Sequence, residues 1–311
     1  MADFSVIADD LNFPEGPVCL PDGSVVVVEI AAGQITRIHA DRRKDIVATP
    51  GGGPNGAAIG PDGALYVCNN GGAEWIEQDG LLLPGDQPAD YSGGRIERVN
   101  LSTGAVECLY REAGGRRLSA PNDLVFDQKG GFWFTDTGKA RTHDRDNGSV
   151  YYARADGSFI TQAIPSLYGG PNGIGLSPDQ RTLYVSLTLE RIILSFSIIA
   201  EGVVAPPAIA ALPGTVVCSF PGRIMLDSMA MDANGHICVA TMADRSSIAS
   251  IDPATGVAIH FDTPDFITTN IAFGGADMCD AYITLGSSGR LIKTRWPVPG
   301  LRLAFQAEAT P

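Results

Sequence analysis

Six copies of one short pattern run along the chain, and they constrain its fold more than any other feature. The clearest copy spans residues 171–188 and reads PNGIGLSPDQRTLYVSLT. Each copy has an anchor residue, a short apolar strand, a turn of Gly, Asp, Asn or Pro, and a second strand rich in Val, Ile, Tyr or Phe. Such a pattern is typical of a β-hairpin. The anchors are Glu15, Asn55, Asn122, Asn172, Asp227 and Asn270.

The spacing of these copies indicates the fold class. Neighbouring anchors lie roughly 40 to 67 residues apart, and repeats of this period that contain strands are typical of a β-propeller. Sustained apolar periods of 3.6 residues, which would indicate helices, are nearly absent from the sequence. We therefore predict an all-β, six-bladed β-propeller with four-stranded antiparallel blades, forming one domain over residues 1–311.

The copies also predict where each blade lies and how the propeller closes. Residues 3–8 read as a lone strand that should pair with the last strands, around Ile283–Thr284 and Arg290–Lys293, and so remove a free sheet edge. An insertion at 71–92 in blade two is long enough to indicate a functional flap. The tail after Pro299 has no assignment. The predicted blades are Pro14–Thr49, Pro54 onward with a third strand from Gly93, Pro121–Pro165, Pro171–Pro213, Met225–Asp262 and Thr269–Trp296.

Charge and cysteine content exclude several classes of function. The net charge is −13, which argues against nucleic acid or an anionic membrane as a partner, because both need basic surface. No apolar run is long enough for a membrane helix, and the N-terminus lacks the pattern of a signal peptide. The six cysteines form no CxxC pair and favour small buried side chains in a reducing compartment. We expect a cytoplasmic protein.

The anchors should meet at one mouth of the central channel, because the first strand of every blade lines that channel. Two carboxylates, from Glu15 and Asp227, would then lie beside the amide oxygens of Asn122 and Asn172. Oxygen ligands of this kind suit a hard divalent cation, with calcium the first choice and zinc, manganese or magnesium as alternatives. The competing interpretation is that Pro-Asn-Gly only makes turns.

At these residues the sequence resembles the SMP-30/gluconolactonase family of six-bladed propellers, which includes regucalcin and lactonases of the Drp35 type. The resemblance rests on EGP at 15–17, PND at 121–123, PNG at 171–173 and LDSMAMD at 226–232, and it extends over the whole chain. It implies a metal held by Glu15, Asn122, Asn172 and Asp227. It also implies hydrolysis of a cyclic ester, with Asp227 as the catalytic carboxylate.

Two features depart from the sugar-lactone members of that family. These members often carry an arginine two residues before the third-blade asparagine, where this chain has Ala120. The flap at 71–92 is also longer than in the simplest members. Both features favour a less polar lactone or ester.

The predicted chemistry is metal-assisted hydrolysis, in which the cation polarises the lactone carbonyl. Asp227 would either activate a water or attack directly as a nucleophile. Asn55, Trp75, Tyr91 and His143 are the candidate substrate-binding residues.

Three other functions stay open at this point. One is hydrolysis of phosphotriesters on the same metal site. Another is a propeller similar to strictosidine synthase, which needs no metal on its axis. The third is a non-enzymatic scaffold that binds other proteins through its blades. A panel of lactones and organophosphates distinguishes the first from a lactonase. Full activity after chelation would favour the second. The third predicts that Asp227→Ala has no effect.

Overall fold

The computed structural model describes residues 3–209 and 211–308, which form 29 β-strands and no helix. Six antiparallel sheets, each built on four main strands, are arranged as the blades of a propeller. The prediction of a six-bladed β-propeller is therefore confirmed. Within residues 3–209 and 211–308, no helix is long and apolar enough to span a membrane.

Blades one to three follow the hairpin repeats closely. Blade two also carries two small hairpins, Trp75–Gln78 with Leu81–Pro84 and Glu112–Ala113 with Arg116–Arg117. From the channel outward, the strands of these blades are Pro14–Cys19, Val25–Glu29, Gln34–Ile38 and Lys44–Ala48; Pro54–Ile59, Leu65–Asn69, Arg95–Val99 and Val106–Tyr110; and Pro121–Phe126, Gly131–Asp136, Gly148–Arg154 and Ile160–Leu167.

Blades four to six complete the ring, and blade six takes its outermost strand from the N-terminus. A short strand, Val203–Val204, also pairs with the third strand of blade four. From the channel outward, the strands are Pro171–Leu176, Thr182–Leu187, Ile192–Ala200 and Thr215–Ser219; Ile224–Met231, Ile237–Ala243, Ser247–Ile251 and Ala258–Asp262; and Thr268–Gly274, Asp280–Leu285, Arg290–Arg295 and Ser5–Ala8.

Two predicted boundaries differ from the structure. Blade four does not end at Pro213, because its outer strand is Thr215–Ser219, which pairs with the long third strand through Cys218 and Ile193. The N-terminal strand pairs with Arg290–Arg295, with Ser5 opposite Lys293, and not with Ile283–Thr284. Asp280–Leu285 already has sheet neighbours on both sides, so it has no free edge to offer.

The innermost strands of neighbouring blades contact one another in a closed ring around the channel. Aromatic and branched side chains fill the space between the blades. Trp133, for example, is fully buried and packs edge-on against Tyr152 at 5.0 Å between ring centroids. This packing fixes the angle between blades, and therefore the positions of the residues that open each inner strand.

The flap, residues 71–92, lies over one mouth of the channel. Its Trp75 ring packs against Phe13 at 5.0 Å between centroids. The backbone N–H of Leu82 donates to the carbonyl of Ser287 in the last blade over 3.0 Å, and that of Gln87 donates to the carbonyl of Ala140 in blade three over 2.9 Å. The flap is thus a packed element that spans from blade six to blade three.

The tail beyond Pro299 lies across the opposite mouth. The ring of Phe305 packs edge-on against Phe126 at 5.6 Å, and the side-chain amide of Gln306 donates to the carbonyl of Phe273 over 2.8 Å. The flap and the tail therefore lie at the two different mouths of the channel.

Candidate metal and active site

Five of the six anchors line a single cavity of about 260 Å³ beneath the flap, which we call the site cavity. These five residues come from five different blades, and each lies near the start of an innermost strand. They are Glu15, Asn55, Asn122, Asn172 and Asp227.

An irregularity in each inner strand directs these side chains toward the axis. Regular pairing with the second strand is interrupted just at the anchor, for example between Glu15 and Val18 and between Leu226 and Met229. The same interruption occurs in all six blades. Bulges of this kind change the direction of a side chain locally, which explains how an anchor in a channel-lining strand points into the mouth.

The glycine after an anchor allows the next blade to approach. A Cβ on Gly16 would lie 2.6 Å from the carbonyl oxygen of Asn55, and a Cβ on Gly173 would lie 2.7 Å from that of Asp227. Gly56 has the same relation to Asn122, at 2.5 Å. The glycines of the Glu-Gly and Asn-Gly pairs are therefore needed because a side chain would collide with the backbone of the next blade. They are not only turn signals.

The two carboxylates of the site cavity are buried and close enough to affect each other. Burial raises the pKa of Glu15 to about 7, although Asn270 and the N–H of Gly16 stabilise its charge through hydrogen bonds. Burial, and then the charge of Glu15, raise the pKa of Asp227 well above its ordinary value. Asp123, buried beside Asn122, has a raised pKa for the same two reasons. A nearby divalent cation would offset this repulsion.

The cavity also contains buried oxygens that need a partner. Glu15 Oε1, Asn55 Oδ1 and Asn122 Oδ1 have no hydrogen-bond partner among residues 3–209 and 211–308. Buried acceptors are normally satisfied, and unsatisfied ones often mark an ion or water site. The described part of the chain has no metal-sized cluster of three or more His, Cys, Asp and Glu side chains. The donor set here is instead two carboxylates and several amides, which fits a hard cation.

Of the four residues that were predicted to bind substrate, two line the site cavity and two do not. Asn55 and Trp75 line the site cavity. Tyr91 is not among its lining residues, because its hydroxyl is turned to donate to the carbonyl of Ser119 over 2.5 Å. His143 is exposed at the tip of a blade-three loop and does not line the cavity either. Asn270 lies deeper in the channel, where its side-chain amide donates to Glu15 Oε2 over 2.9 Å.

Several polar residues of the cavity wall were not predicted individually, among them Lys139, Arg145, Asp86 and Thr188. Thr188 contributes another buried hydroxyl without a hydrogen-bond partner among the described residues. The only sequence signal for these residues was that the loops after the second strands should lie on the anchor face. That signal predicts where a loop lies, but it does not predict which of its side chains point into the cavity.

Comparison with known proteins agrees with this geometry. A family model described as the SMP-30/Gluconolactonase/LRE-like region matches residues 13–287, which include all six anchors. The chain belongs to this family.

Relatives within the SMP-30/gluconolactonase family include known lactonases. Lactonase drp35 of Staphylococcus haemolyticus is 28% identical over 236 residues, which are 75% of this chain and 65% of that protein. The gluconolactonase of Zymomonas mobilis is 27% identical over 202 residues, 58% of this chain and 50% of that protein. The matches thus span between half and two thirds of these relatives.

Solved structures of the family share the fold. Regucalcin from Agrobacterium tumefaciens, described as a calcium-binding protein, superposes with a TM-score of 0.76 at 19% identity. The superposition covers 100% of this chain and 98% of regucalcin. At this level of identity the likeness concerns the propeller architecture.

Proposed function

We propose that this protein is a metal-dependent lactonase that opens a small lactone ring in the site cavity. The observation that carries the proposal is the group of buried, unpartnered oxygens from Glu15, Asn55 and Asn122 in a cavity that also holds Asp227. Membership of a family whose members include a lactonase and a gluconolactonase supports the reaction class.

Glu15, Asn122, Asn172 and Asp227 are the proposed ligands of one divalent cation. Their oxygens favour calcium, and the fold shared with a calcium-binding protein supports that choice over zinc, manganese or magnesium. When bound, such a cation polarises a carbonyl and stabilises the developing oxyanion. Asn270 has a positioning role, since its hydrogen bond fixes one carboxylate oxygen of Glu15.

Asp227 is the proposed catalytic residue, and two roles are open to it. It either takes a proton from the attacking water or attacks the lactone carbonyl itself. Hydrolysis in ¹⁸O-labelled water under single-turnover conditions tests for direct attack. Label recovered in the Asp227 carboxylate after one turnover would exclude the simple general-base role, because solvent oxygen enters that carboxylate only when water opens a mixed anhydride at the Asp227 carbonyl.

The remaining cavity residues bind and shield the substrate. Asn55 presents a free amide oxygen beside the ligands, and Trp75 with Phe13 forms an apolar wall under the flap. A cavity of about 260 Å³ is small compared with typical ligand pockets of about 300–1,000 Å³, which favours a compact ring as substrate.

The proposal is tested by metal analysis of the purified protein combined with a pH-drop assay over aliphatic, sugar and aromatic lactones. We expect hydrolysis that is abolished by chelation and restored by calcium. Asp227→Asn should lower kcat by at least about 100-fold. Asp179→Asn, in a turn on the opposite face, is the matched control. Full activity after chelation, or hydrolysis of a phosphotriester but of no lactone, would overturn the proposal.

The cytoplasm is the proposed location of this reaction. All six cysteines are free in the structure, and burial raises the pKa of the Cys19 thiol to about 12, so that it behaves as an inert packing residue. Cys68, Cys218 and Cys238 are buried and Cys108 is exposed, and free thiols at both kinds of position are typical of a reducing compartment.

A further inference from the structure

A short hairpin of blade three brings two basic side chains to the wall of the site cavity. It connects the second and third strands of that blade, and the N–H of Asp146 donates to the carbonyl of Lys139 over 2.9 Å. A further bridge pairs Ala140 with Arg145. Lys139 and Arg145 both line the site cavity. The wall beside the ligands therefore carries two cations, in a protein whose net charge is −13.

Lys139 is held in place and retains a free donor. Its residue surface is only 7% exposed, and its ammonium lies 5.3 Å from the centre of the Tyr91 ring. The ammonium donates to the carbonyl of Gly72 and, over 3.4 Å, to Asn70 Oδ1. An ammonium has three hydrogens, so one remains for a ligand.

The side chain of Arg145 is unpaired among the residues that the structure describes. Its guanidinium makes no hydrogen bond and no ion pair with any residue that the structure describes. One of its terminal nitrogens, Nη2, lies 3.2 Å from the position that a Cβ on Gly170 would occupy, two residues before the ligand Asn172. Arg141, on the same hairpin, is instead paired with both Asp144 and Asp146.

The acidic groups near these two cations are already engaged by other donors. Asp136 accepts the backbone N–H groups of Ser119, Ala120 and Gly138. Asp146 accepts from Arg141, from the Ser119 hydroxyl and from the backbone N–H of Lys139.

Asp86 also lines the cavity, and among the described residues its carboxylate accepts a single long bond of 3.4 Å, from the hydroxyl of Thr142. The cation would compensate the charges of Glu15 and Asp227. Among the residues that line the cavity, this leaves one carboxylate, Asp86, and two basic groups, Lys139 and Arg145. The wall of the loaded site is therefore positively charged.

We infer that the substrate is an anionic lactone, whose carboxylate substituent is bound by Arg145 and Lys139 while its ring carbonyl lies at the anchor residues. A guanidinium fork matches the geometry of a carboxylate, and a charge-assisted hydrogen bond is stronger than a neutral one. The inference rests on the proposed lactonase function. It replaces the expectation of a less polar lactone, which considered only Ala120 and the length of the flap.

The test compares two lactones of the same shape and different charge, 5-oxotetrahydrofuran-2-carboxylate and its neutral carboxamide, with the calcium-loaded protein. We expect kcat/KM to be roughly tenfold or more higher for the carboxylate. Arg145→Gln and Lys139→Met should each raise KM for the carboxylate roughly tenfold and change KM for the carboxamide less than twofold. Arg223→Gln is the control, since Arg223 precedes the inner strand of blade five, is paired with Asp244 and does not line the cavity.

The outcomes separate this inference from the proposed function. Equal hydrolysis of the two lactones, or a preference for the carboxamide, would overturn the anionic substrate and leave the lactonase proposal intact. Equal loss on both lactones in the two variants would assign Lys139 and Arg145 to the structure of the hairpin and also overturn the inference. If no lactone of any charge is hydrolysed by the loaded protein, the proposed function itself fails.

Discussion

The side-chain amide of Asn270 donates to Glu15 Oε2 over 2.9 Å and so joins the last blade to the first. Glu15 and Asn270 lie at opposite ends of the chain, and both inner strands have to be in register for this bond to form. The other carboxylate oxygen of Glu15, Oε1, is thereby left free for a ligand. The hydrogen bond that joins blade six to blade one therefore also orients a carboxylate of the proposed metal site.

Asn270→Ala should weaken calcium binding without unfolding the protein. The variant removes one donor from Glu15 Oε2 and leaves the N–H of Gly16 in place, so the carboxylate is less firmly oriented. Loss of such outer-shell contacts typically reduces metal affinity by about 10- to 100-fold. Isothermal titration calorimetry measures this change. Asn234→Ala, in an exposed turn that does not line the site cavity, should leave the affinity unchanged, and an unchanged affinity in Asn270→Ala would contradict the positioning role.

Gly173→Ala should disturb the site through the backbone. The added methyl would approach the Asp227 carbonyl to 2.7 Å and the N atom of Met229 to 2.8 Å, so blades four and five have to separate. Overpacking of this kind usually costs about 1–3 kcal/mol in the free energy of unfolding. We expect lower stability by urea unfolding together with weaker calcium binding. Gly175→Ala, two residues further along the same strand, is the control, because its added methyl would meet no atom closer than 3.4 Å. Wild-type values for both properties in Gly173→Ala would contradict this account.

Deletion of residues 1–8 should open the last blade. The strand Ser5–Ala8 covers the outer edge of Arg290–Arg295, and Ala8 is buried against its neighbours. Without it, backbone N–H and C=O groups of a long strand are left unpaired and available to other chains. We expect the midpoint of thermal unfolding to fall by roughly 5 °C or more, with increased aggregation on light scattering. Val6→Thr, at an exposed position that keeps the pairing, should unfold within about 1 °C of the wild type; an equal midpoint for the deletion would show that closure depends on other contacts.

The fold was predictable because its signals are local. Each hairpin repeat carries its own turn and its own pair of apolar strands, so the blades could be counted without knowing how they pack. The end of blade four was misplaced because its third strand, Ile192–Ala200, runs on into a short extra strand, Val203–Val204. The true outer strand, Thr215–Ser219, lies beyond the Pro-Gly pair at 213–214, which reads as the end of the blade although the strand itself contains Val216 and Val217.

The repeat symmetry of the fold allowed the anchor residues of the site to be predicted, but not the side chains contributed by its loops. Symmetry brings the anchors to one mouth, and five of them do line one cavity. It does not determine the direction of side chains in irregular loops. Tyr91 turns toward Ser119, whereas Lys139 and Arg145 reach the cavity through the register of a small hairpin that no repeat pattern encodes.

The burial of Lys139 should make stability depend on pH in an unusual range. Burial lowers the pKa of Lys139 to about 8, although the charges of Asp136 and Asp146 partly oppose the shift. In the unfolded chain its pKa returns to about 10.4. Between these values the unfolded state binds more protons at this position, so the contribution of Lys139 to the free energy of unfolding rises with pH. Below about pH 8 both states are charged, and the full cost of burying the ammonium is present.

Lys139→Met isolates this effect, because other groups that titrate in the same range are common to both proteins. We expect the free energy of unfolding of the wild type, minus that of Lys139→Met, to increase between pH 8 and pH 10. The slope should approach ~1.4 kcal/mol per pH unit. Urea unfolding at pH 7, 8, 9 and 10 measures it. Lys139→Gln retains a donor for the carbonyl of Gly72 and should give the same slope if charge is responsible. If the difference in the free energy of unfolding between the two proteins stays constant from pH 8 to pH 10, the pKa of Lys139 is not lowered by burial.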